Sequence, residues 1–137
     1  MHNTILAFLG LVAWPIVLLT VIAILRTYLS ATGKRAANSF APTGEDVSEF
    51  SQRLVRAHAN CYEFVPFALA LLLFALVTEQ TAITDPLAMI LLFARVAQSV
   101  IHLASTSTMA VSLRFLMFAP QIVIAFYWLF QFFGAVR

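Results

Sequence analysis

Four apolar runs separated by short polar breaks decide what this chain can become. They cover roughly residues 5–29, 54–77, 87–103 and 109–133. Each is close to the ~20 residues a helix needs to cross ~30 Å of hydrocarbon. The chain is 62% hydrophobic and 10% charged over 137 residues, whereas soluble domains are roughly 45–50% apolar and about 25% charged. A water-soluble fold of this size would leave too much apolar surface in water. The expected fold is all-α and integral to a membrane, a bundle of four transmembrane helices. Four spans and their short connections take up residues 1–137 as a single domain.

Several classes are excluded at this level. The single cysteine, Cys61, rules out an intrachain disulfide and any cysteine-cluster metal site, and it reads as a small buried hydrophobe. The formal net charge of +2 comes from scattered cations with no soluble basic face, so nucleic-acid binding has no support. Met1-His2-Asn3-Thr4 carries no Lys or Arg, and the first apolar run exceeds the ~7–15 residues of a signal-peptide core. It reads as a retained anchor, with Trp14-Pro15 as a candidate kink and Arg26 and Tyr28 suited to the interface.

The connection over residues 30–52 is the long polar one. It holds Gly33, Pro42-Thr43-Gly44 and the acids Glu45 and Asp46, the composition of a loop with turns. A short helix over residues 46–52 is expected to lead into the second span. Residues 78–85 form a short acidic link and residues 104–108 a Ser/Thr-rich turn. Lys34, Arg35 and Arg53 lie in or beside the first connection, with Arg26, Arg56 and Arg114 toward the same side, whereas the opposite side has Arg137. The positive-inside rule then places the first and third connections in the cytoplasm and both termini outside. Short loops and no targeting signal point to a bacterial inner membrane.

The chemistry lies inside the membrane. Arg53, Arg56, Asn60 and Glu63 follow at spacings of three, four and three, one stripe of a helix that continues through Pro66 into a purely apolar half. In the third span Arg95, Gln98, Ser99 and His102 again share one face. A charge at bilayer depth costs from ~3 to more than ~10 kcal/mol unless paired or hydrated, so Arg95 is expected to pair with Glu63 across the helix interface. That pair is either a structural clasp or part of a hydrated pocket for a charged small molecule. The wider set, with Arg56, His58, Gln98, His102 and Arg114, exceeds what one clasp needs. Converging at one end of spans two to four, it suits a ligand bearing carboxylates and an amine, with arginines for the anions and Glu63 for the cation. His58 and His102 find no third ligand at helical spacing, which argues against a metal. They read as hydrogen-bonding wall residues, His58 alternatively as an interfacial one. Tyr62 is expected to pack with its hydroxyl satisfied.

Arg56-Ala57-His58, followed by Asn60, Glu63, Pro66 and Phe67, resembles the second-helix signature of the MAPEG superfamily, membrane-associated proteins in eicosanoid and glutathione metabolism. The motif covers a short part of span two, and the four-span architecture extends the resemblance over the chain. It implies a left-handed four-helix bundle assembled as a homotrimer. It also implies glutathione bound between subunits near the cytoplasmic surface, with membrane lipids around it. Carried over by position, the resemblance assigns Arg56, Asn60 and Glu63 to the tripeptide's polar groups. Arg95, Gln98 and His102 stand at the family's third-helix site positions, and Arg114 resembles the fourth-helix arginine that stabilises the glutathione thiolate. Departures are specific. Ala59 stands where some enzymatic members have arginine, Gln98 and His102 where some have His and Tyr, and Phe115 where prostaglandin-synthase-like members have serine. They point away from prostaglandin E synthesis and leave conjugation or peroxide reduction intact.

Two functions of different class follow. One is a glutathione-dependent transferase or peroxidase acting on lipophilic small molecules, with glutathione or a similar thiol as cosubstrate and no metal. The other is a non-catalytic membrane protein that binds a lipid or a partner protein between its helices, since the family has a lipid-binding member without catalysis. An ion or proton carrier using Glu63 and Arg95 would need a polar path to the far side, and the apolar far halves of spans two and three supply none.

Overall fold

A computed structural model describes residues 1–136; Arg137, the one cation read on the opposite side, lies outside them. Four helices form in order: α1 (His2–Ala31), α2 (Glu49–Val77), α3 (Thr81–Ala104) and α4 (Thr108–Ala135). All four are long and apolar enough to cross a membrane, and the described residues contain no strand. Each expected apolar run lies within one of these helices, which extend beyond it. The short helix expected over residues 46–52 is instead the first turn of α2. Ser48, in extended conformation, caps that turn by accepting from the Ser51 N–H at 3.0 Å, which satisfies a backbone donor the helix cannot. Ser107 caps α4 in the same way, accepting from Ala110 N–H at 3.2 Å. Each helix contains one proline, Pro15, Pro66, Pro86 and Pro120, and runs on through it.

The helices pack as an antiparallel bundle in which α2 and α3 each touch the other three, while α1 and α4 do not pack on each other. Close approach is made by small residues. Ala7, Ala57, Cys61, Ala68, Ala75 and Ala88 are all buried, as membrane helices require where lipid offers no hydrophobic drive to associate. At Gly10 an added Cβ would sit 2.6 Å from the Leu92 side chain, so α1 and α3 nearly touch there. At the start of these two helices Asp85 Oδ1 accepts from the Thr4 N–H (2.9 Å) and hydroxyl (3.1 Å), and Thr4 and Thr84 share a buried hydroxyl hydrogen bond of 2.9 Å. By contrast, α2 and α4 touch only sparsely. The gap between them, with α3 behind it, is where the polar residues gather.

The first connection is ordered by charge. Arg35 forms an ion pair with Asp46 at 2.6 Å and donates to the Asp46 carbonyl, while Asp46 Oδ2 accepts from the Ala41 N–H at 2.9 Å. Arg26 and Arg35 both lie against the Phe40 ring, at 5.6 and 5.5 Å. The Ala41 N–H, together with the Arg35 and Arg26 charges, holds the Asp46 carboxyl below its ordinary pKa despite some desolvation. A depressed carboxylate stabilises the fold above its unfolded pKa, and that contribution is lost as pH falls through the folded value. Limited trypsin digestion at pH 7–8 is therefore expected to spare Lys34 and Arg35 in the wild type and to cut there in Asp46→Asn. The protection of amides 33–47 against hydrogen exchange, taken relative to the intrinsic rate at each pH, is expected to fall in the wild type only below about pH 4.

Candidate functional site

The polar stripes of α2 and α3 and the first turns of α4 meet in one cleft of about 420 Å³. Asn60, Glu63, Gln98, His102 and Arg114 form its polar wall, and Phe64, Phe67, Phe115 and Phe118 are among its apolar ones. Five of the seven residues picked out from the sequence are thus brought together within one chain, Glu63 and Arg114 among them. Among the described residues, Glu63 is the one carboxylate lining this cleft. Arg56, one turn before Asn60 on α2, is exposed and outside the lining. Arg95 is fully buried and lies behind the cleft.

The expected Arg95–Glu63 ion pair does not form. Arg95 Nη1 donates instead to the Asn60 side-chain oxygen at 2.9 Å and its backbone carbonyl at 3.2 Å. Asn60 Nδ2 in turn reaches Glu63 Oε2 at 3.4 Å. The amide of Asn60 therefore stands between cation and carboxylate. This separation has a physical reason. A buried pair would desolvate both ions, and attraction in low dielectric often fails to offset that. Here the carboxylate remains exposed in the cleft. The guanidinium gains an amide and the face of Phe64, 5.0 Å from its centre, a cation–π contact. Nε and Nη2 of Arg95 have no hydrogen-bond partner.

Gln121 was not singled out from the sequence, although it is an amide in the middle of the apolar α4, ten residues before Gln131 near the helix end. It is fully buried and donates to Gln98 Oε1 at 3.0 Å and to the Met117 carbonyl at 2.7 Å. Gln98 Nε2 donates to Asn60 Oδ1 at 3.2 Å. One hydrogen-bonded row of amides thus ties α4 through α3 to α2.

The remaining polar residues have other places. Arg53 Nε donates to the Leu103 carbonyl at 2.9 Å, capping the C-terminus of α3 where a cation is favoured. His58 packs edge-on against Tyr62 at 5.6 Å, outside the cleft. Tyr62 is 60% exposed, so the expected packing with a satisfied hydroxyl is replaced by a position on the outer face of α2. Cys61 is buried, as read, with its sulfur 3.6 Å from the Ser99 hydroxyl. Among the described residues no three His, Cys, Asp or Glu side chains gather as metal ligands would.

The buried guanidinium makes stability asymmetric. Asn60→Leu leaves the Arg95 charge with only a backbone carbonyl and is expected to cost about 2–4 kcal/mol. Arg95→Met removes the charge and leaves Asn60 Oδ1 its Gln98 donor, so it is expected to cost less. The double variant is expected to recover part of the Asn60→Leu loss. Thermal unfolding of the detergent-solubilised variants checks this order.

Comparison with curated proteins and with solved structures returns no match. The MAPEG family model, in contrast, matches residues 4–134, which include nearly all of the four helices and every residue lining the cleft. With four helices long and apolar enough to cross a membrane, and Asn60, Glu63 and Phe67 of the second-helix motif at one cleft, this multi-pass integral membrane protein belongs to the MAPEG family.

Proposed function

We propose that the protein is a glutathione-dependent transferase or peroxidase for lipophilic electrophiles, with the α2–α3–α4 cleft as its thiol site. The observation that carries this reading is that Arg114 and Glu63 line the same cleft, with Asn60 and Gln98 between α2 and α3. The donor set fits glutathione. Glu63 matches the tripeptide's ammonium, the amide N–H groups and the exposed Arg56 match its carboxylates, and Arg114 is left for the sulfur. When bound, glutathione supplies the sulfur nucleophile. A thiol with an ordinary pKa near ~8.5 is mostly protonated at neutral pH, and only the thiolate attacks. The Arg114 guanidinium cannot lose its proton, so beside the sulfur it favours the anion. Arg95, behind the cleft, acts through Asn60.

An apolar groove of about 350 Å³ shares Phe64, Phe67 and Ile122 with the cleft and continues past Ala70, Ala125 and Leu129 along α2 and α4. This is the route we assign to the lipophilic substrate, entering from the bilayer. The same groove favours the second reading, a non-catalytic protein that holds a lipid or a partner between α2 and α4. A homotrimer, a bacterial inner membrane and cytoplasmic placement of the first and third connections belong to the proposal. The family supports the homotrimer, the cations Lys34, Arg35, Arg53 and Arg114 in or beside those connections support the orientation, and the short loops between helices support the bacterial membrane.

The test is glutathione binding by the detergent-solubilised protein, followed by ultraviolet absorbance of the thiolate at several pH values. The wild type is expected to bind and to show thiolate at pH 7. Arg114→Ala is expected to bind with roughly a tenfold smaller thiolate fraction at that pH. No binding at millimolar glutathione contradicts the enzyme reading and favours the lipid or partner one.

A further inference from the structure

The row of amides from α4 to α2 has a direction, and the direction is forced. Arg95 carries donors only, so the Asn60 side chain must turn its oxygen toward it, as it does at 2.9 Å. Gln98 faces that same oxygen and must therefore donate its Nε2, at 3.2 Å. Its own oxygen is left pointing at Gln121, which must donate in turn, at 3.0 Å. The reverse orientation of Gln121 would set its oxygen against the Gln98 oxygen and the Met117 carbonyl, two acceptors now met by its N–H groups at 3.0 and 2.7 Å. The row ends there, with Gln121 Oε1 buried and without a donor.

The consequence falls on the cleft. Asn60 and Gln98 both line it, and each has its oxygen engaged inside the bundle. What either amide has left to offer a ligand is N–H. An amide that lines a pocket ordinarily presents donor and acceptor alike, and here both oxygens are turned into the bundle, Asn60 Oδ1 toward two donors and Gln98 Oε1 toward Gln121. Alongside Glu63 this gives a set matched to an α-amino acid group: one carboxylate for the ammonium, and neutral N–H donors for the carboxylate beside it. Gln121 does not line the cleft, yet it is the partner that keeps the Gln98 oxygen engaged.

Resting on the glutathione reading, we infer that Gln121 is a positioning residue that sets the specificity of the cleft. By holding the Gln98 oxygen inside the bundle, it makes the wall select the α-carboxylate of the γ-glutamyl group over a neutral group of the same shape. Without Gln121, the Gln98 oxygen is buried with no donor, a costly state. It is then relieved by swinging the oxygen toward the cleft while Nε2 keeps its hydrogen bond to Asn60 Oδ1, so that the oxygen opposes a carboxylate and accepts from an amide.

The experiment compares the affinity of the full chain in detergent for glutathione and for the analogue whose γ-glutamyl α-carboxylate is an amide. The wild type is expected to prefer glutathione by about tenfold or more, the scale of a hydrogen bond to a charged group. Gln121→Met, similar in size and without polar atoms, is expected to reduce that preference to about threefold or less. Gln121→Asn, which keeps the amide but falls short of Gln98, is expected to do the same and serves if the methionine variant does not fold. An equal loss of affinity for both ligands, leaving the ratio as in the wild type, means a structural role only and overturns the inference. A wild type that binds glutathione without preferring it over the analogue overturns the inference while leaving the glutathione reading in place. A wild type that binds neither overturns both.

Discussion

A guanidinium with no exposed surface in the middle of a helical membrane bundle is the constraint to which the functional end of this molecule conforms. Arg95 needs acceptors and finds them in Asn60, through its side chain at 2.9 Å and its backbone at 3.2 Å. A buried cation that loses its acceptors is among the costlier defects a fold can carry, so this contact fixes α3 against α2 in register as well as in distance. It also determines how the cleft is furnished. Asn60 cannot rotate without uncovering Arg95, Gln98 must donate to Asn60, and Gln121 must donate to Gln98. The carboxylate that might have neutralised the arginine is left in the cleft instead, one amide away.

The cleft itself is a product of packing. α2 and α3 are in contact with every other helix, but α2 and α4 meet only sparsely. Small residues such as Ala57, Cys61, Ala68 and Ala88, all buried, let backbones approach where the bundle is tight. Large ones, Phe64, Phe67 and Phe118, stand where it opens. The polar end of the gap and its apolar continuation share a wall, so a hydrophilic thiol and a lipid-soluble partner can meet there without either crossing the bundle.

Much of this was legible in the sequence, for reasons that also explain what was not. Span number and approximate limits follow from hydropathy, and α2 and α4 begin before their apolar runs because Ser48 and Ser107 cap in polar sequence that hydropathy cannot credit. Helical spacing correctly put Asn60 and Glu63 on one face, and Gln98 and His102 on another. It could not supply the relative height of two helices, which is why Glu63 was matched to Arg95 although Asn60 stands between them. Gln121 escaped because its side-chain neighbours along α4 are apolar and its side-chain partner, Gln98, lies on α3. A single amide in the middle of an apolar span, such as Gln121 just after Pro120, is nonetheless a usable signal, since burying one without a partner is costly. Tyr62 misled in the opposite sense, since an aromatic in a span need not face inward when lipid surrounds the bundle.

The central claim is that the α2–α3–α4 cleft is a thiol site with Glu63 and Arg114 at its two polar poles. The most direct test is an experimental structure of the protein in a lipid nanodisc with glutathione at saturating concentration. The account expects the tripeptide in this cleft, its ammonium against Glu63, its sulfur beside Arg114 and its contacts to Asn60 and Gln98 made through their N–H groups. A cleft filled by lipid or by a neighbouring helix, with glutathione absent or held elsewhere, would contradict it.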